Sequence, residues 1–401
     1  MRLVRTLGVA LGAMVAASTL PGQTPGASET VTRRGVRVSG WVESELRVFP
    51  HDGLYAEQRR TYPALGGELR LRGAVSGAHR WDVTAFARGD IEDGHRSHVD
   101  VREATWTWQP AAWQVRAGIL TTFWGVTESN RLVDVVNQRD EREAPDIEAK
   151  LGQPGVAFTG PVAGGTLEVL ALTYHRPRAF GLRAGRFRAP SAFAEAPLYE
   201  SAAGRHRIDW AGRWSTRVGA LDVGVSHFLG SAREPALSDT GVLRPRYAVI
   251  HQTGLDAQLT LGALLLKAET IRRDDDTTIG AVTAGAEYVI GNVGSSGSDI
   301  VIFSELTLDE RRGRAPTGLD RDVFLAGRWN ANDAAGTEVM VAGTLDLTSG
   351  AHVVRLEGSR RWSASWRVIG EAHLIGGQRP TDLGYMMRRD SFVRAAIARH
   401  F

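Results

Sequence analysis

SFVRAAIARHF, at residues 391–401, alternates in side-chain character with a period of two. Val393, Ala395 and Ile397 fall on one face of an extended chain, because successive side chains of a strand point to opposite sides. Alternation of this kind predicts a β-strand with one apolar face. The segment ends on an aromatic residue, Phe401, which is also the last residue of the sequence.

The same alternation recurs in about eighteen segments, one of which interleaves Leu69 and Leu71 with Arg70 and Arg72. Strands that cross a membrane as a barrel place an apolar side chain towards lipid at every second position and run for about ten residues. The sequence therefore predicts an all-β protein, a transmembrane antiparallel up-and-down β-barrel of about 16–18 strands.

The links between these segments alternate in length, which is a second and independent signal. Barrels of this class have short periplasmic turns and long outer loops in strict alternation. The short links lie at 76–78, 109–112, 161–165 and 218–220, and the long links at 50–61, 122–153, 175–205 and 231–246.

A soluble β-sandwich or solenoid is the alternative architecture, because period-two alternation also describes a half-buried sheet. It explains neither the rhythm of the links nor the terminal aromatic residue. The chain has no run of about 18 apolar residues, so helical membrane spans are not expected. It also shows no linker or shift of composition, which favours one large closed sheet.

The amino terminus is typical of a secretory signal. Arg2 and Arg5 precede an apolar run at 7–17, and a small, polar stretch follows at 18–28. We expect a signal peptide at 1–28, with the cleavage site left open, and a single barrel domain at 29–401. An uncleaved anchor is the alternative, although the run is about half of the ~20 residues that a spanning helix needs.

Composition narrows the functional classes. The chain has no cysteine, which excludes disulfides and thiolate metal sites, and only Lys150 and Lys267 among its 48 basic residues are lysines. The net charge of +3 is small for 401 residues, so nucleic acid is not an expected partner.

A terminal aromatic residue on a final strand is the mark that outer-membrane barrels carry for their assembly machinery, which makes Phe401 the expected assembly signal. Arg399 departs from this pattern, because an aromatic or apolar residue normally stands two positions before the end. Trp106, Trp108 and Trp113 flank a short turn and predict an interfacial girdle. Packing in a soluble core is the other interpretation of these tryptophans.

The longest irregular segment follows VRAGILTTFWGV, which begins at Val115 and runs into Trp124 and Gly125. Here the chain resembles porin-like outer-membrane proteins of proteobacteria, including a family in which R-x-G is followed by W-G and then N-x-x-D. The matching positions are Arg116, Gly118, Trp124, Gly125, Asn137 and Asp140. In general porins the loop after the fifth strand folds into the lumen and narrows it, and the resemblance implies the same for 122–153, the third outer loop.

Two sets of residues are therefore candidates for a pore lining. Loops of this length usually serve a function or are disordered, and Val133, Val135 and Val136 suggest one that packs on a surface. A solvated loop with local ion pairs of up to ~1 kcal/mol is the alternative. The constriction candidates are Trp124, Glu128, Arg131, Asp134, Asn137, Arg139, Asp140, Glu141 and Arg142. The lumen-lining candidates are Arg70, Arg72, Arg88, Arg102, Arg116, Arg207 and Arg213.

We find no catalytic motif, so no enzyme, cofactor or metal site is expected. His95 and His98 have a spacing that could hold a metal, and residues 274–276 form an acidic run, but isolated histidines and solvated turns are commoner. Three functions stay open: a diffusion pore for small polar solutes, an export or ligand-binding barrel, and a barrel enzyme. The expected partners are outer-membrane lipid and lipopolysaccharide, the barrel-assembly machinery and small polar solutes, and the oligomeric state stays open.

Overall fold

Eighteen antiparallel strands, each bonded to the next in the chain, close into one β-barrel in the computed structural model. The structure describes residues 30–31, 35–146, 148–181, 184–188, 193–194, 196–239, 242–294, 296–311 and 320–401, so the expected signal peptide lies outside the described residues. The barrel strands are β1 Arg37–Val48, β2 Thr61–Ser76, β3 His79–Asp90, β4 His98–Trp108, β5 Gln114–Leu120, β6 Gln153–Val162, β7 Gly165–Leu172, β8 Asp209–Val218, β9 Leu221–Ser231, β10 Val249–Leu261, β11 Leu264–Asp274, β12 Thr278–Val293, β13 Ser298–Asp309, β14 Arg321–Asn330, β15 Glu338–Asp346, β16 His352–Arg361, β17 Trp366–Gly376 and β18 Phe392–His400.

The barrel closes where β18 pairs with β1, from Val48 opposite Val393 to Trp41 opposite His400. Phe401 extends this seam, since its backbone N–H and C=O bond those of Gly40 at 3.0 Å each. A two-residue strand, Thr30–Val31, pairs with the start of β1 beside the seam. The predicted fold class is confirmed, at the upper end of the predicted strand number.

Side chains alternate across the barrel wall as the sequence predicts. On β18, Val393 is 52% exposed on the outer face whereas Arg394 is buried inside. On β10, Leu255 points outwards and Asp256 inwards. Charge is thus held on the inner face, because a charged side chain facing lipid at mid-depth is costly.

The two ends of the barrel differ in the length of their connections. At the short-turn end, strands are joined by links such as 163–164, 219–220 and 262–263. At the long-loop end, the longest connections are 49–60, 121–152, 173–208, 232–248 and 377–391. The predicted alternation is confirmed, with bounds shifted by three residues or fewer. Among the described residues, no helix is long and apolar enough to cross a membrane.

Tryptophan is concentrated at the short-turn end. Several of these rings lie over glycine on the neighbouring strand; at Gly160, for instance, an added Cβ would stand 1.8 Å from the Trp113 ring. The missing side chain of each such glycine leaves room for the indole ring, which packs on the glycine backbone. The tryptophans within five residues of a short turn are Trp81, Trp106, Trp108, Trp113, Trp214, Trp329, Trp362 and Trp366.

We expect Leu255→Arg to lower the free energy of unfolding in lipid vesicles by about 2–4 kcal/mol, because the guanidinium would face hydrocarbon at mid-depth. The matched control is Gln258→Arg, three residues further along the same strand, where the side chain faces the interior. For this variant we expect the free energy of unfolding to change by about 0.5 kcal/mol or less. Guanidinium titrations followed by tryptophan fluorescence measure both. Equal losses in the two variants would contradict the assignment of faces.

Candidate functional site

The loop at 121–152 lies inside the barrel. Val133 is fully buried and Val136 is 1% exposed, and both pack on inward-facing apolar side chains of β7–β12. Phe228 and Ile250 belong to this surface. The expectation that the valines anchor an ordered loop is confirmed, and each buried aliphatic side chain contributes about 1.5–3 kcal/mol.

A buried carboxylate on β11, Glu269, fastens the first half of this internal loop. One of its oxygens accepts the backbone N–H of Val126 at 2.6 Å, and the N–H and hydroxyl of Thr127 at 2.8 Å each. The other oxygen accepts the N–H of Val133 at 3.1 Å. The loop backbone thus wraps around a single side chain that the opposite wall provides.

Glu305 on β13 makes a second clasp of the same kind. Its carboxylate accepts the N–H groups of Glu128 and Ser129 at 2.7 Å each, and the Ser129 hydroxyl at 2.5 Å. The Glu128 carboxylate is in turn bound by Lys267 of β11 at 2.8 Å. Removing one partner of such a buried, charged contact costs about 3–5 kcal/mol.

The neck of the loop is closed by Asn137 and Lys150. The Asn137 amide accepts the N–H of Thr122 at 2.9 Å and donates to the carbonyls of Leu120 and Leu151. Lys150 donates to the Thr122 carbonyl at 2.8 Å and pairs with Asp134. Both lysines of the chain are therefore buried, and both hold this loop.

The second half of the loop contacts the wall at β3 and β4. Asp140 pairs with Arg102 at 2.8 Å and with Arg142, and Glu143 pairs with Arg88 at 2.8 Å. Burial alone would raise the pKa of Asp140, but hydrogen bonds from His98 and Arg142 and the charge of Arg102 hold it well below its usual range. Asp140 and Glu143 of the loop are therefore in direct contact with Arg102 and Arg88 of the wall.

The remaining constriction candidates divide between wall contacts and contacts within the loop. Trp124 donates to Glu168 of β7 at 3.0 Å, and Glu141 pairs with Arg178 at 3.2 Å. Arg131 pairs with Glu148 at 2.7 Å inside the loop. Arg139 points towards the long-loop end, where it lines a small cavity.

All seven lumen-lining candidates have an acidic partner. Six project from inward positions of β2–β5 and β8, and Arg207 lies two residues before β8 begins. These arginines therefore form ion pairs along the wall and do not form one continuous positive stripe. The pairs are Arg70 and Arg72 with Asp82, Arg88 with Glu45 and Glu143, Arg102 with Asp140, Arg116 with Glu168, Arg207 with Asp209, and Arg213 with Asp256.

One cavity lies on each side of the internal loop. A cavity of about 740 Å³ lies on its short-turn side, with Val126 of the loop, Arg213, Asp256 and Gln258 in its lining. On the long-loop side, a cavity of about 40 Å³ lies between residues 130–139 and the wall. The cavity on the short-turn side of the loop is therefore the larger of these two.

Described residues of a further connection, between 173 and 208, bind the rim at the long-loop end. The buried guanidinium of Arg186 donates to Asp390 at 2.9 Å and to the carbonyls of Arg59 and His51 at 3.1 Å each, and it stacks on Phe49. Phe187 packs with Phe49 in the same apolar cluster. Segments from distant parts of the barrel rim are thus tied together over the lumen.

The minor metal candidates have other partners. His98 lies 3.3 Å from Asp140, and Asp276 pairs with Arg246 at 2.9 Å. Burial lowers the pKa of His95 to about 4. Within the described ranges, no group of three or more histidine, aspartate or glutamate side chains could hold a metal ion.

Several contact residues were not among the candidates. Glu269 and Glu305 stand in alternating strands like any other lumen-facing acid, and nothing local marks them as partners of the loop. Lys267 could have been singled out, because one of only two lysines stands on an inward strand position.

No family model and no curated protein matches the chain. Solved structures match over most of its length. OccK3 (OpdO) of Pseudomonas aeruginosa is 12% identical with a TM-score of 0.53, and the match covers 91% of this chain and 95% of that one. OccK11 (OpdR) is 10% identical with a TM-score of 0.53, over 91% and 96%, and OccD3 (OpdP) is 10% identical with a TM-score of 0.50, over 94% and 93%. At these identities the likeness shows the fold.

We expect Glu305→Ala to release the first half of the internal loop, because it leaves two backbone N–H groups and a hydroxyl without their acceptor, at about 1–3 kcal/mol each. Amine-reactive labelling of Lys267, read by mass spectrometry, should rise at least tenfold. Glu338→Ala, which removes a lumen-facing acid of β15, is the matched control and should leave labelling unchanged. Unaltered labelling in Glu305→Ala would contradict the clasp.

Acid should loosen the loops at the mouth. Burial, and then the charge of Arg233, lower the pKa of His175 to about 3, so its neutral form stabilises the fold and this contribution is lost as the pH falls below 6.5. Its ring faces Tyr199 and Tyr247, and its Nε2–H donates to the Ala232 carbonyl at 3.2 Å. Hydrogen exchange around residue 175 should be faster at pH 4 than at pH 7, and His175→Asn should remove this dependence. Equal rates at both pH values in the parent protein would contradict the assignment.

Proposed function

We propose that the protein is an outer-membrane channel for the diffusion of small polar or charged solutes. The observation that carries the proposal is that the loop at 121–152 contacts β3, β11 and β13 from inside the closed barrel, where it would narrow a polar lumen. A loop held by buried carboxylates at β11 and β13 keeps a fixed bore, whereas a solvated loop would not.

The distribution of side chains supports this assignment. The outer face is apolar and carries tryptophan at one end, which suits lipid on the outside. The inner face holds paired charges around a cavity of about 740 Å³, which suits water and polar solutes. The chain also shares its fold with OccK and OccD porins of Pseudomonas. The long-loop end then faces the exterior of the cell and the short-turn end the periplasm.

The covered mouth favours a narrow and selective passage. Arg186 and its partners close part of the long-loop end, so solutes must pass between loops. The same cover would suit a ligand-binding barrel of a transport system, which is the second candidate. Stepwise conductance in planar bilayers distinguishes the two, because a binding barrel would retain solute without conducting.

Charge reversal at Arg70 and Arg72 tests the role of the lumen wall. Both side chains are partly exposed to the lumen and share Asp82, so replacing both with Glu would leave a cluster of uncompensated acids. We expect the reversal potential across a salt gradient to shift towards cation preference. Arg360→Glu changes charge on the outer face and should leave it unchanged. Unchanged potentials in the double variant would remove these arginines from the permeation path.

A further inference from the structure

The lipid-facing side of the barrel carries a polar patch in its long-loop half. His251 and Thr253 stand on the same face of β10 as Leu255, between that residue and the long-loop end of the strand. Strand pairing places His227 of β9 on one side of Thr253 and Arg272 of β11 on the other. Paired residues of neighbouring strands point to the same side of a sheet, so these side chains all face outwards. We call His227, His251, Thr253 and Arg272 the outer patch.

The outer patch departs from the composition of the outer face elsewhere on the barrel. Ionisable side chains are costly next to hydrocarbon, and the outward rows of β2 and β15 contain none. A group of such side chains on adjacent strands therefore indicates a polar partner at this place on the surface. The row of β2 is Thr61, Pro63, Leu65, Gly67, Leu69, Leu71, Gly73 and Val75, and that of β15 is Val339, Val341, Gly343 and Leu345.

The outer patch holds hydrogen-bond donors that no described residue uses. The Arg272 side chain is 71% exposed; its Nε lies 3.7 Å from Asp274, and its two terminal amino groups bond no residue that the structure describes. The Thr253 hydroxyl lies 2.9 Å from Nδ1 of His227, which leaves Nε2 of that ring open. The His251 ring stands 6.3 Å from the His227 ring, between centroids.

The acids beside the outer patch already have donors of their own. Their carboxylates are therefore less available than the guanidinium and the imidazoles, and the unused groups of this surface are complementary to an anion. The contacts are Asp274 with the Thr278 hydroxyl at 2.5 Å, Asp275 with the Thr277 N–H at 2.9 Å, Asp276 with Arg246 at 2.9 Å, and Glu310 with the Gly280 N–H at 2.6 Å.

An exposed aromatic ring borders the outer patch. Trp210 of β8 is 51% exposed and lies two residues before Gly212, which pairs with His227. A Cβ added at Gly212 would meet only the carbonyl oxygen of Glu168, at 3.8 Å, so the surface between Trp210 and His227 is open. Tryptophan is a residue of the boundary between hydrocarbon and headgroups, which places the outer patch near that boundary.

We propose that the outer patch binds the phosphorylated headgroup of a glycolipid in the outer leaflet of the membrane. The proposal takes its orientation from the proposed function, in which the long-loop end faces the exterior of the cell. Phosphate oxygens accept the parallel N–H groups of a guanidinium, which Arg272 offers. The rings of His227 and His251 bond the same headgroup, and Trp210 packs on its sugar. The acyl chains then lie on the apolar surface around Leu255.

Native mass spectrometry of the full chain in detergent, titrated with diphosphoryl lipid A, tests the proposal. We expect Arg272→Gln to weaken lipid A binding about tenfold, because charge-assisted bonds to phosphate are lost. The double variant His227→Gln with His251→Gln should weaken it by a similar factor. Arg321→Gln removes an exposed, outward-facing arginine at the same end of β14 and is the matched control, with binding unchanged. All these side chains are on the surface, so the variants should fold normally.

Four outcomes would overturn the proposal. The first is equal weakening in Arg272→Gln and Arg321→Gln, since binding would then depend on net charge alone. The second is equal binding of dephosphorylated lipid A, and the third is equal binding of phosphatidylglycerol, which has a phosphate but no sugar. The fourth is a dimeric barrel that dissociates in Arg272→Gln, since a second copy would then cover the outer patch.

The measurement in detergent is independent of conduction. A barrel that conducts without binding lipid A rejects the outer patch alone, and one that binds lipid A without conducting rejects only the channel.

Discussion

The structure depends on the pairing of β18 with β1. Backbone N–H and C=O groups have no hydrogen-bonding partner in hydrocarbon, so a sheet that faces lipid must have no free edge. Eight residue pairs and the two bonds between Phe401 and Gly40 close the ring. Side chains strengthen the same seam from within, because Arg394 of β18 binds both Glu43 and Glu45 of β1. Closure in turn creates the enclosed lumen in which the internal loop can dock.

Inside the barrel, opposite charges pair at short range. The wall arginines have acids beside them, and the carboxylates of Glu269 and Glu305 accept hydrogen bonds from the loop backbone. Burying so many charges is tolerable only because almost every one has a partner, since an unpaired buried charge is very costly.

The fold could be predicted from the sequence to a large extent. Lipid requires an apolar side chain at every second residue of each strand, and this alternation recurs along the whole barrel. The segments around Leu69, Leu255 and Val393 each show the same alternation between an apolar outer face and a polar inner face. The position of the loop was inferred by resemblance, and its valines indicated a packed surface. Its partners could not be inferred, because Glu269 and Glu305 are 136 to 177 residues distant from the loop atoms they bind, and period-two patterns carry no information on which inward residues meet.

That separation in sequence has a consequence for the order of assembly. Contacts between distant parts of a chain form late, because the entropy of closing the intervening segment must be overcome first. The internal loop follows the fifth strand, yet its two clasps reside on the eleventh and thirteenth. Its first half must therefore wait, without these two anchors, until most of the wall exists. Nascent barrels would be leakier than mature ones, and the final narrowing of the bore would be the last event of maturation.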